Sequence, residues 1–290
     1  MSDSLAKVRA LLELGKLRLA SLAIFAVVAG LYLAAWRPLP FGLVLATTVG
    51  TLLVAAGGNA LNMYFEREPD ARMRRTQGRP LPTGRLTPRT VMLFGVLLAV
   101  VGSGLLWWWT NALATALCAA IFVTYVWVYT PLKRITPFNT LVGAIPGALP
   151  PVVGYAAETG QLDQKAVVLF LILFFWQIPH FLAIAWRHRE DYARGGMKML
   201  PSVDPDGRLT AVQMLVYTLA LILATLYAWQ VGLARELYLL SATFLGLLLL
   251  VPVVLAAWVR KDHTMRMVFR ATIVYLPLLL GVMVLDRARP

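Results

Sequence analysis

Residues 41–80 read FGLVLATTVGTLLVAAGGNALNMYFEREPDARMRRTQGRP. The first part, 41–63, is an apolar run that can cross the hydrocarbon core of a bilayer as one helix, which takes about 20 residues. The second part, 64–80, is crowded with acidic and basic side chains. This order is typical of a transmembrane helix that leaves the membrane and enters a charged loop. Apolar runs alternate with charged segments along the rest of the chain as well.

The composition places the whole chain in a membrane. Of its 290 residues, 59% are hydrophobic and 14% are charged, whereas soluble domains have about 45–50% and about 25%. An ordinary soluble enzyme is therefore excluded. We predict an all-α polytopic membrane protein with nine transmembrane helices around a central cavity. The predicted spans are 17–36, 41–63, 90–109, 111–129, 139–157, 165–186, 211–232, 236–259 and 270–286.

Charge predicts the orientation of these spans. The net charge is +13, and most of the 27 basic residues lie in alternate connecting segments. The positive-inside rule then places the N-terminus in the cytoplasm and the C-terminus outside. Because this charge serves topology, we exclude nucleic acid as a partner. The N-terminal sequence has no cleavable signal or transit signature, so we expect a protein of the bacterial inner membrane, in contact with the lipid bilayer.

We expect a single domain over 1–290, built from two four-helix halves, about 17–134 and 139–259, and a ninth helix, about 270–286. The fifth span is rich in proline and glycine, which is tolerated where protein rather than lipid surrounds a helix. It is therefore expected to line the cavity. The lone cysteine, Cys118, excludes disulfides and thiolate metal clusters. The longest charged loops, 64–89 and 187–210, both face the cytoplasm in this topology, so the active site is expected there.

Oxygen ligands follow the second span. Asn62, Glu66 and Asp70 are spaced four residues apart, so they would form one stripe on a helix, although Pro69 disfavours helix at this point. A few spaced oxygen ligands suit Mg²⁺ that keeps waters and binds substrate phosphates. The alternative is a solvated charged loop. Arginines behind the carboxylates favour a diphosphate site, because guanidinium groups bind phosphate oxygens in pairs. They are Arg72, Arg74, Arg75, Arg79 and Arg85.

A second candidate site follows the sixth span. His180, Arg187 and Asp191 fall on one helical face, which is directed inward if the sixth span lines the cavity. Asp191 would hold a second Mg²⁺, Arg187 a phosphate oxygen, and His180 a substrate group inside the bilayer. A hydrogen-bonded core histidine is the alternative for His180. Between the two sites, Tyr129 and Lys133 are four residues apart. Lys133 would supply a positive charge to a phosphate group, and the ring of Tyr129 offers its face to a cation.

These parts together indicate a reaction. Metal ions and cationic side chains stabilise a departing diphosphate, and the allylic cation that it leaves needs a dry pocket. The sequence therefore predicts prenyl transfer within the membrane. A transporter is the alternative from another class, since broken helices and buried charges also mark substrate pathways. Against it, the acids cluster at one face of the membrane.

Three segments resemble the UbiA-type intramembrane prenyltransferases: 57–88, GGNALNMYFEREPDARMRRTQGRPLPTGRLTP; 129–155, YTPLKRITPFNTLVGAIPGALPPVVGY; and 176–201, WQIPHFLAIAWRHREDYARGGMKMLP. The resemblance implies nine helices around a cavity and metal binding by Asn62, Glu66, Asp70 and Asp191. It also implies that Tyr129 and Lys133 belong to the diphosphate site, as the family's Tyr-x-x-x-Lys signature. One position departs from the members with quinone-type acceptors, which have an acid where this chain has Arg187.

The resemblance further implies the substrates. It points to transfer of a farnesyl group from farnesyl diphosphate to a vinyl group of heme b, giving heme O and diphosphate for terminal oxidases. His180 would then lie against the porphyrin or its iron, and Arg187 would meet the propionates. Heme A synthase and oxidase assembly factors are the protein partners that it suggests. An aromatic quinone precursor is the alternative acceptor.

Overall fold

The computed structural model describes the backbone of residues 3–288, and their side chains except those of residues 3, 4 and 17–20. The described chain is helical, with an isolated β-bridge between Ala234 and Arg287, so the predicted all-α class is confirmed. The helices are α1 (Asp3–Leu14), α2 (Leu17–Ala34), α3 (Phe41–Phe65), α4 (Arg67–Arg72), α5 (Pro88–Trp109), α6 (Ala112–Val123), α7 (Thr130–Ile135), α8 (Asn139–Ala148), α9 (Pro150–Thr159), α10 (Gln164–Arg187), α11 (Arg189–Arg194), α12 (Leu200–Val203), α13 (Arg208–Gln230), α14 (Glu236–Val259) and α15 (Asp262–Leu285). A π-helical segment, Thr124–Tyr129, joins α6 to α7.

The helices confirm a polytopic membrane protein. Within the described residues, eight helical segments are long and apolar enough to cross a membrane, and Ser21–Ala34 of α2 is a shorter apolar helix. The side chains of 17–20, at the start of the predicted first span, lie outside the described set. The count of nine spans, the positions of the termini and the division into two halves stay predictions.

Two helix boundaries differ from the prediction by more than a few residues. Helix α15 begins at Asp262, whereas the predicted ninth span begins at 270. Hydropathy places Arg266 in a loop, but its exposed side chain reaches outward while the backbone beneath it stays helical. The fourth span continues through α7 to Ile135, because Lys133 is part of the helix and turns toward the protein.

Glycines let the helices approach closely. A Cβ on Gly57 of α3 would lie 2.5 Å from the carbonyl oxygen of Gly95 in α5. A Cβ on Gly154 of α9 would lie 2.0 Å from the carbonyl oxygen of Val27 in α2. Small residues at such crossings are the usual means of helix association in membranes, where close van der Waals packing replaces hydrophobic burial.

A central cavity of about 690 Å³ lies between the helices. Its described lining residues come from α1 to α4, α6, the π-helical segment, α7 to α11 and α15, together with the loops at one end. Helices α8 and α9 are the two halves of the proline-rich fifth span, interrupted at Leu149. This broken span contributes Gly143, Pro146 and Gly147 to the wall, so the prediction that it lines the cavity is confirmed.

Candidate active site

The predicted oxygen ligands Asn62, Glu66 and Asp70 all line one end of the cavity. They are 1%, 4% and 0% exposed, so the alternative of a solvated charged loop is wrong. Helix α3 ends at Phe65, and Asp70 lies on the short helix α4 that follows. The backbone N–H of Asp70 still donates to the carbonyl oxygen of Glu66, at 2.8 Å, which keeps the two carboxylates one turn apart despite Pro69.

Hydrogen bonds fix the orientation of the Asn62 amide. Its Nδ2 donates to the hydroxyl of Thr130, at 3.0 Å, and that hydroxyl donates to the carbonyl oxygen of Tyr125, at 2.8 Å. Since the single hydroxyl proton is committed to Tyr125, the hydroxyl accepts from Asn62. The amide nitrogen is therefore engaged, and the Asn62 Oδ1 is the atom left to bind a cation in the cavity.

Glu66 and Lys133 form a buried ion pair. The Lys133 Nζ lies 2.7 Å from the Glu66 Oε1 and 4.4 Å from the centre of the Tyr129 ring. Burial raises the pKa of Glu66, but the neighbouring Lys133 charge and hydrogen bond outweigh it, so the pKa lies below its usual value. The ammonium is thus held between a carboxylate and an aromatic face, as the four-residue spacing of Tyr129 and Lys133 predicts.

Asp70 has one engaged and one free oxygen. Its Oδ2 accepts from Arg79, at 2.6 Å, while its Oδ1 is buried and has no hydrogen-bond partner. Burial raises the pKa of Asp70, although the Arg79 charge opposes this. A buried carboxylate oxygen without a partner is costly, and a bound cation would satisfy it.

The donor set fits Mg²⁺. No group of three His, Cys, Asp or Glu side chains in the described part of the chain could form a complete metal site. Mg²⁺ does not need one, because it keeps several waters and is held by one or two carboxylates together with substrate phosphates. The free Asp70 Oδ1, the Asn62 Oδ1 and the Glu66 carboxylate supply such a set.

Asp191 lies apart from the other three predicted ligands, Asn62, Glu66 and Asp70. It is not among the described residues that line the cavity. Its carboxylate accepts from the backbone N–H groups of Arg74, at 3.1 Å, and Arg75, at 3.2 Å, and it pairs with Arg194. The Arg194 hydrogen bond lowers the pKa of Asp191. Asp191 therefore joins the second charged loop to the first, on the same side of the molecule.

The predicted arginines divide into two groups. Arg75 and Arg79 line the cavity, and the Arg75 guanidinium lies 5.7 Å from the centre of the Tyr192 ring. Arg72 is exposed and Arg187 lines a separate, smaller cavity with Arg266 and Phe269. Because helix α10 ends at Arg187 and a new helix starts at Arg189, the predicted common face does not continue from His180 to Asp191.

His180 lines the central cavity, as predicted. Its ring stacks between the side chains of Trp176 and Phe269, with centroids 4.8 Å and 5.3 Å away. The wall around it is apolar and aromatic, and includes Phe181 and Leu276. The cavity thus joins a charged end, which we call the polar end and define by Asn62, Glu66, Asp70, Arg79 and Lys133, to a largely apolar interior.

Sequence reasoning missed Lys16, which also lines the cavity. It connects α1 to α2 in the left-handed conformation, with φ 47°, which non-glycine residues rarely adopt. Helix α1 packs through the buried side chains of Ala10 and Leu14, and an exposed ion pair joins Glu13 to Arg85, at 2.9 Å. Burial, followed by the Arg79 charge, lowers the pKa of Lys16 to about 7. In the sequence, this lysine is indistinguishable from the basic residues that set topology.

These features define a class of protein. They describe an intramembrane protein in which a largely apolar cavity opens onto a polar end that carries both carboxylates and cations. The chain belongs to the UbiA prenyltransferase family, whose sequence model matches residues 23–276, and it is a prenyltransferase.

Two curated relatives show which members of this family the chain resembles. The chain is 48% identical to the protoheme IX farnesyltransferase of Solibacter usitatus over 241 residues, which cover 83% of this chain and 82% of the relative. It is 40% identical to the protoheme IX farnesyltransferase of Salinibacter ruber over 275 residues, covering 95% and 97%.

Solved structures share the fold. A structure described as digeranylgeranylglyceryl phosphate synthase superposes with a TM-score of 0.81 at 17% identity, covering 97% of this chain and 98% of the other. A UbiA homologue from Archaeoglobus fulgidus, bound to GPP and Mg²⁺, has a TM-score of 0.63 at 12% identity, covering 97% and 99%. At these identities the likeness concerns the fold alone.

Proposed function

We propose that the protein transfers a farnesyl group from farnesyl diphosphate to a vinyl group of heme b, giving heme O and diphosphate. The observation that carries this proposal is the continuity of the polar end with a cavity of about 690 Å³ that contains His180. A diphosphate fits the charged end, and the apolar interior suits a prenyl chain and a porphyrin. The names of the relatives support heme as the acceptor.

The diphosphate would bind to the cations of the polar end. Lys133 and Arg79 are each paired with a carboxylate and would be shared with phosphate oxygens, and Arg75 lies beside them on the cavity wall. Tyr129 supports Lys133 through its ring. Arg72 and Arg187 would join the site only after their side chains rearrange, because neither lines the central cavity.

Asn62, Glu66 and Asp70 would hold Mg²⁺, which would neutralise charge on the diphosphate when bound. Asp191 would act as a ligand only if the backbone N–H groups of Arg74 and Arg75 released it. In the position described, it instead fixes the loop that carries Arg75 and Arg79. This arrangement makes Asp191 a positioning residue for the cations.

Farnesyl transfer replaces a carbon–oxygen bond of the diphosphate ester with a carbon–carbon bond to the vinyl group. The bond between C1 of the farnesyl group and oxygen breaks, and diphosphate leaves with the electron pair. The π electrons of the vinyl group form the new carbon–carbon bond, and the cation left beside the macrocycle takes up water and releases a proton. Lys133 and Arg79 stabilise the departing charge. The aromatic side chains of the wall can stabilise the allylic cation, and the enclosed interior keeps water from it.

The test uses purified protein with Mg²⁺, heme b and farnesyl diphosphate labelled at C1. We expect the label to appear in a heme that elutes later than heme b in reversed-phase chromatography and has the mass of heme O. Omission of heme is the control. Label found only in an added aromatic acid acceptor, or only in farnesol, would contradict the proposal.

We further propose that the protein lies in the bacterial inner membrane with the polar end toward the cytoplasm. The basic connecting segments support this orientation, and both substrates are then bound from that side. Heme A synthase or an oxidase assembly factor would receive the product. Cysteine labelling of single-cysteine variants in intact cells tests the orientation.

Lys16 gives a prediction about pH. Its pKa of about 7 means that the ammonium loses its proton above neutrality in the free enzyme. A bound diphosphate favours the ammonium and raises this pKa. Binding above pH 7 should therefore take up a proton, and the affinity for farnesyl diphosphate should fall as pH rises from about 7 to 9, by up to about tenfold per pH unit.

Isothermal titration of farnesyl diphosphate at fixed Mg²⁺, without heme, measures this dependence. Lys16→Met should bind more weakly at pH 7 and show a flatter pH profile. Lys7→Met is the matched control, since Lys7 lies in the exposed part of α1. Parallel profiles for the wild type and Lys16→Met would rule out this role.

A further inference from the structure

The imidazole of His180 is held in one orientation by α10 and α15. Its Nδ1 lies 2.9 Å from the hydroxyl of Thr272. The Trp176 Nε1 donates to the backbone carbonyl of the same Thr272, at 2.8 Å, and Trp176 stacks on the imidazole. Thr272 therefore fixes both the histidine and one of the rings that cover it.

The hydrogen-bond network assigns the tautomer of His180. The Thr272 hydroxyl donates its only proton to the carbonyl oxygen of Phe269, at 2.8 Å. It must therefore accept from His180, which places the imidazole proton on Nδ1. The lone pair is then on Nε2, for which no hydrogen-bond partner is found among the described residues.

The stacking determines how the imidazole can meet a ligand. Trp176 lies nearly parallel to it, at 17°, and Phe269 at 24°. In the described chain these two rings make no ring contact with each other, as expected for rings on opposite faces of a third. With its faces covered, the imidazole cannot stack on a porphyrin. Only its edge, with the Nε2 lone pair, can reach the cavity.

We propose that His180 ligates the iron of the acceptor heme through Nε2. This inference rests on heme being the acceptor in the proposed function. A histidine that ligates a metal through one nitrogen typically donates the other N–H to a fixed acceptor, which sets the ring orientation, and Thr272 supplies that acceptor. Iron bound there places the macrocycle across the apolar interior, in the cavity that Asn62 and Asp70 also line.

His180 is the one histidine among the described residues that line the central cavity, which sets the number of imidazole ligands that the heme iron can have. The chain has three histidines, and His188 and His263 are not among the described lining residues. Heme should therefore have one imidazole ligand from the protein, with a five-coordinate, high-spin ferrous spectrum. Met197 also lines the cavity and carries a soft donor, so Met197→Leu is a suitable matched control.

The experiment compares binding of heme b with binding of metal-free protoporphyrin IX, without farnesyl diphosphate. We expect His180→Ala to weaken heme binding by more than about tenfold, to lose the imidazole spectrum and to regain it with added imidazole. Its affinity for metal-free protoporphyrin should change by less than about twofold. Thr272→Val keeps His180 but removes the hydroxyl that accepts its Nδ1–H. This variant should weaken heme binding by about tenfold, the lower limit for loss of a residue that hydrogen-bonds a metal ligand.

The outcomes are distinct. A loss of equal size for heme and metal-free protoporphyrin in His180→Ala would mean a structural role and overturn the proposal. An unchanged heme spectrum in that variant, or its loss in Met197→Leu, would also overturn it. If the wild type binds neither porphyrin, both the ligation and the proposed acceptor are wrong. If His180→Ala shows an unchanged heme spectrum and normal farnesyl transfer, iron ligation by His180 is rejected and the proposed function stands.

Discussion

Asp70→Asn should lower the rate of farnesyl transfer by about 10²–10³-fold, the usual effect of removing one group that stabilises transition-state charge. The wild-type carboxylate binds Arg79 with one oxygen and leaves the other buried without a partner. Asparagine keeps the shape and an acceptor for Arg79 but removes the negative charge that would hold Mg²⁺. Initial rates with labelled farnesyl diphosphate measure the effect.

The neighbouring helix residue Glu68 offers the control. It lies on the same short helix, is exposed and pairs only distantly with Arg67, at 3.9 Å. Glu68→Gln should change the rate by less than about twofold, as expected for an exposed ion pair. Circular dichroism melting of both variants separates catalysis from folding. A near-normal rate in Asp70→Asn would reject the metal and diphosphate assignment of the polar end.

Gly154→Ala should greatly reduce the yield of folded protein. The added Cβ would lie 2.0 Å from the backbone oxygen of Val27, and backbone cannot rotate away as a side chain can. Separation of α2 from α9 would open the packing on one side of the cavity. We expect a loss of about 3 kcal/mol, the upper part of the usual range for overpacking.

Fluorescence-detected size exclusion of the solubilised protein, with a melting series, measures this loss. Gly104→Ala is the matched control, because Gly104 lies within helix α5 and a Cβ there would meet nothing within 4 Å. Alanine favours helix over glycine by about 1 kcal/mol, so this variant should be at least as stable as the wild type. Equal yields for the two variants would contradict the close crossing of α2 and α9.

Much of the fold was predictable because its signals are local. Apolar runs and their charged ends locate the spans. The four-residue spacing of Asn62, Glu66 and Asp70 predicts that they face the same way, and all three line the cavity although Asp70 lies on the separate helix α4. These signals depend on helical geometry and hydrophobicity alone. The start of α15 was less predictable, since exposed arginines continue a helix as readily as they end one.

The rest of the site depends on contacts between distant segments. The spacing of His180 and Asp191 indicates a shared face only if one helix continues, and α10 ends between them. The role of Asp191 as an acceptor for Arg74 and Arg75 requires the two loops to be docked. Lys16 enters the cavity because of a left-handed backbone at that residue, which no pattern of polarity predicts.

The π-helical segment Thr124–Tyr129 has an evolutionary consequence. The backbone N–H of Thr130 donates to the carbonyl oxygen five residues earlier, at Tyr125, so this turn contains an extra residue. Losing one residue here would turn Lys133 by about 100° relative to the first part of the helix, away from Glu66. The remaining helix would still exceed the roughly 20 residues that a bilayer requires. A single-codon deletion in this turn would therefore remove Lys133 from the polar end while membrane insertion is preserved, so we expect variants that shorten the turn to be inserted but inactive, and to be removed by selection.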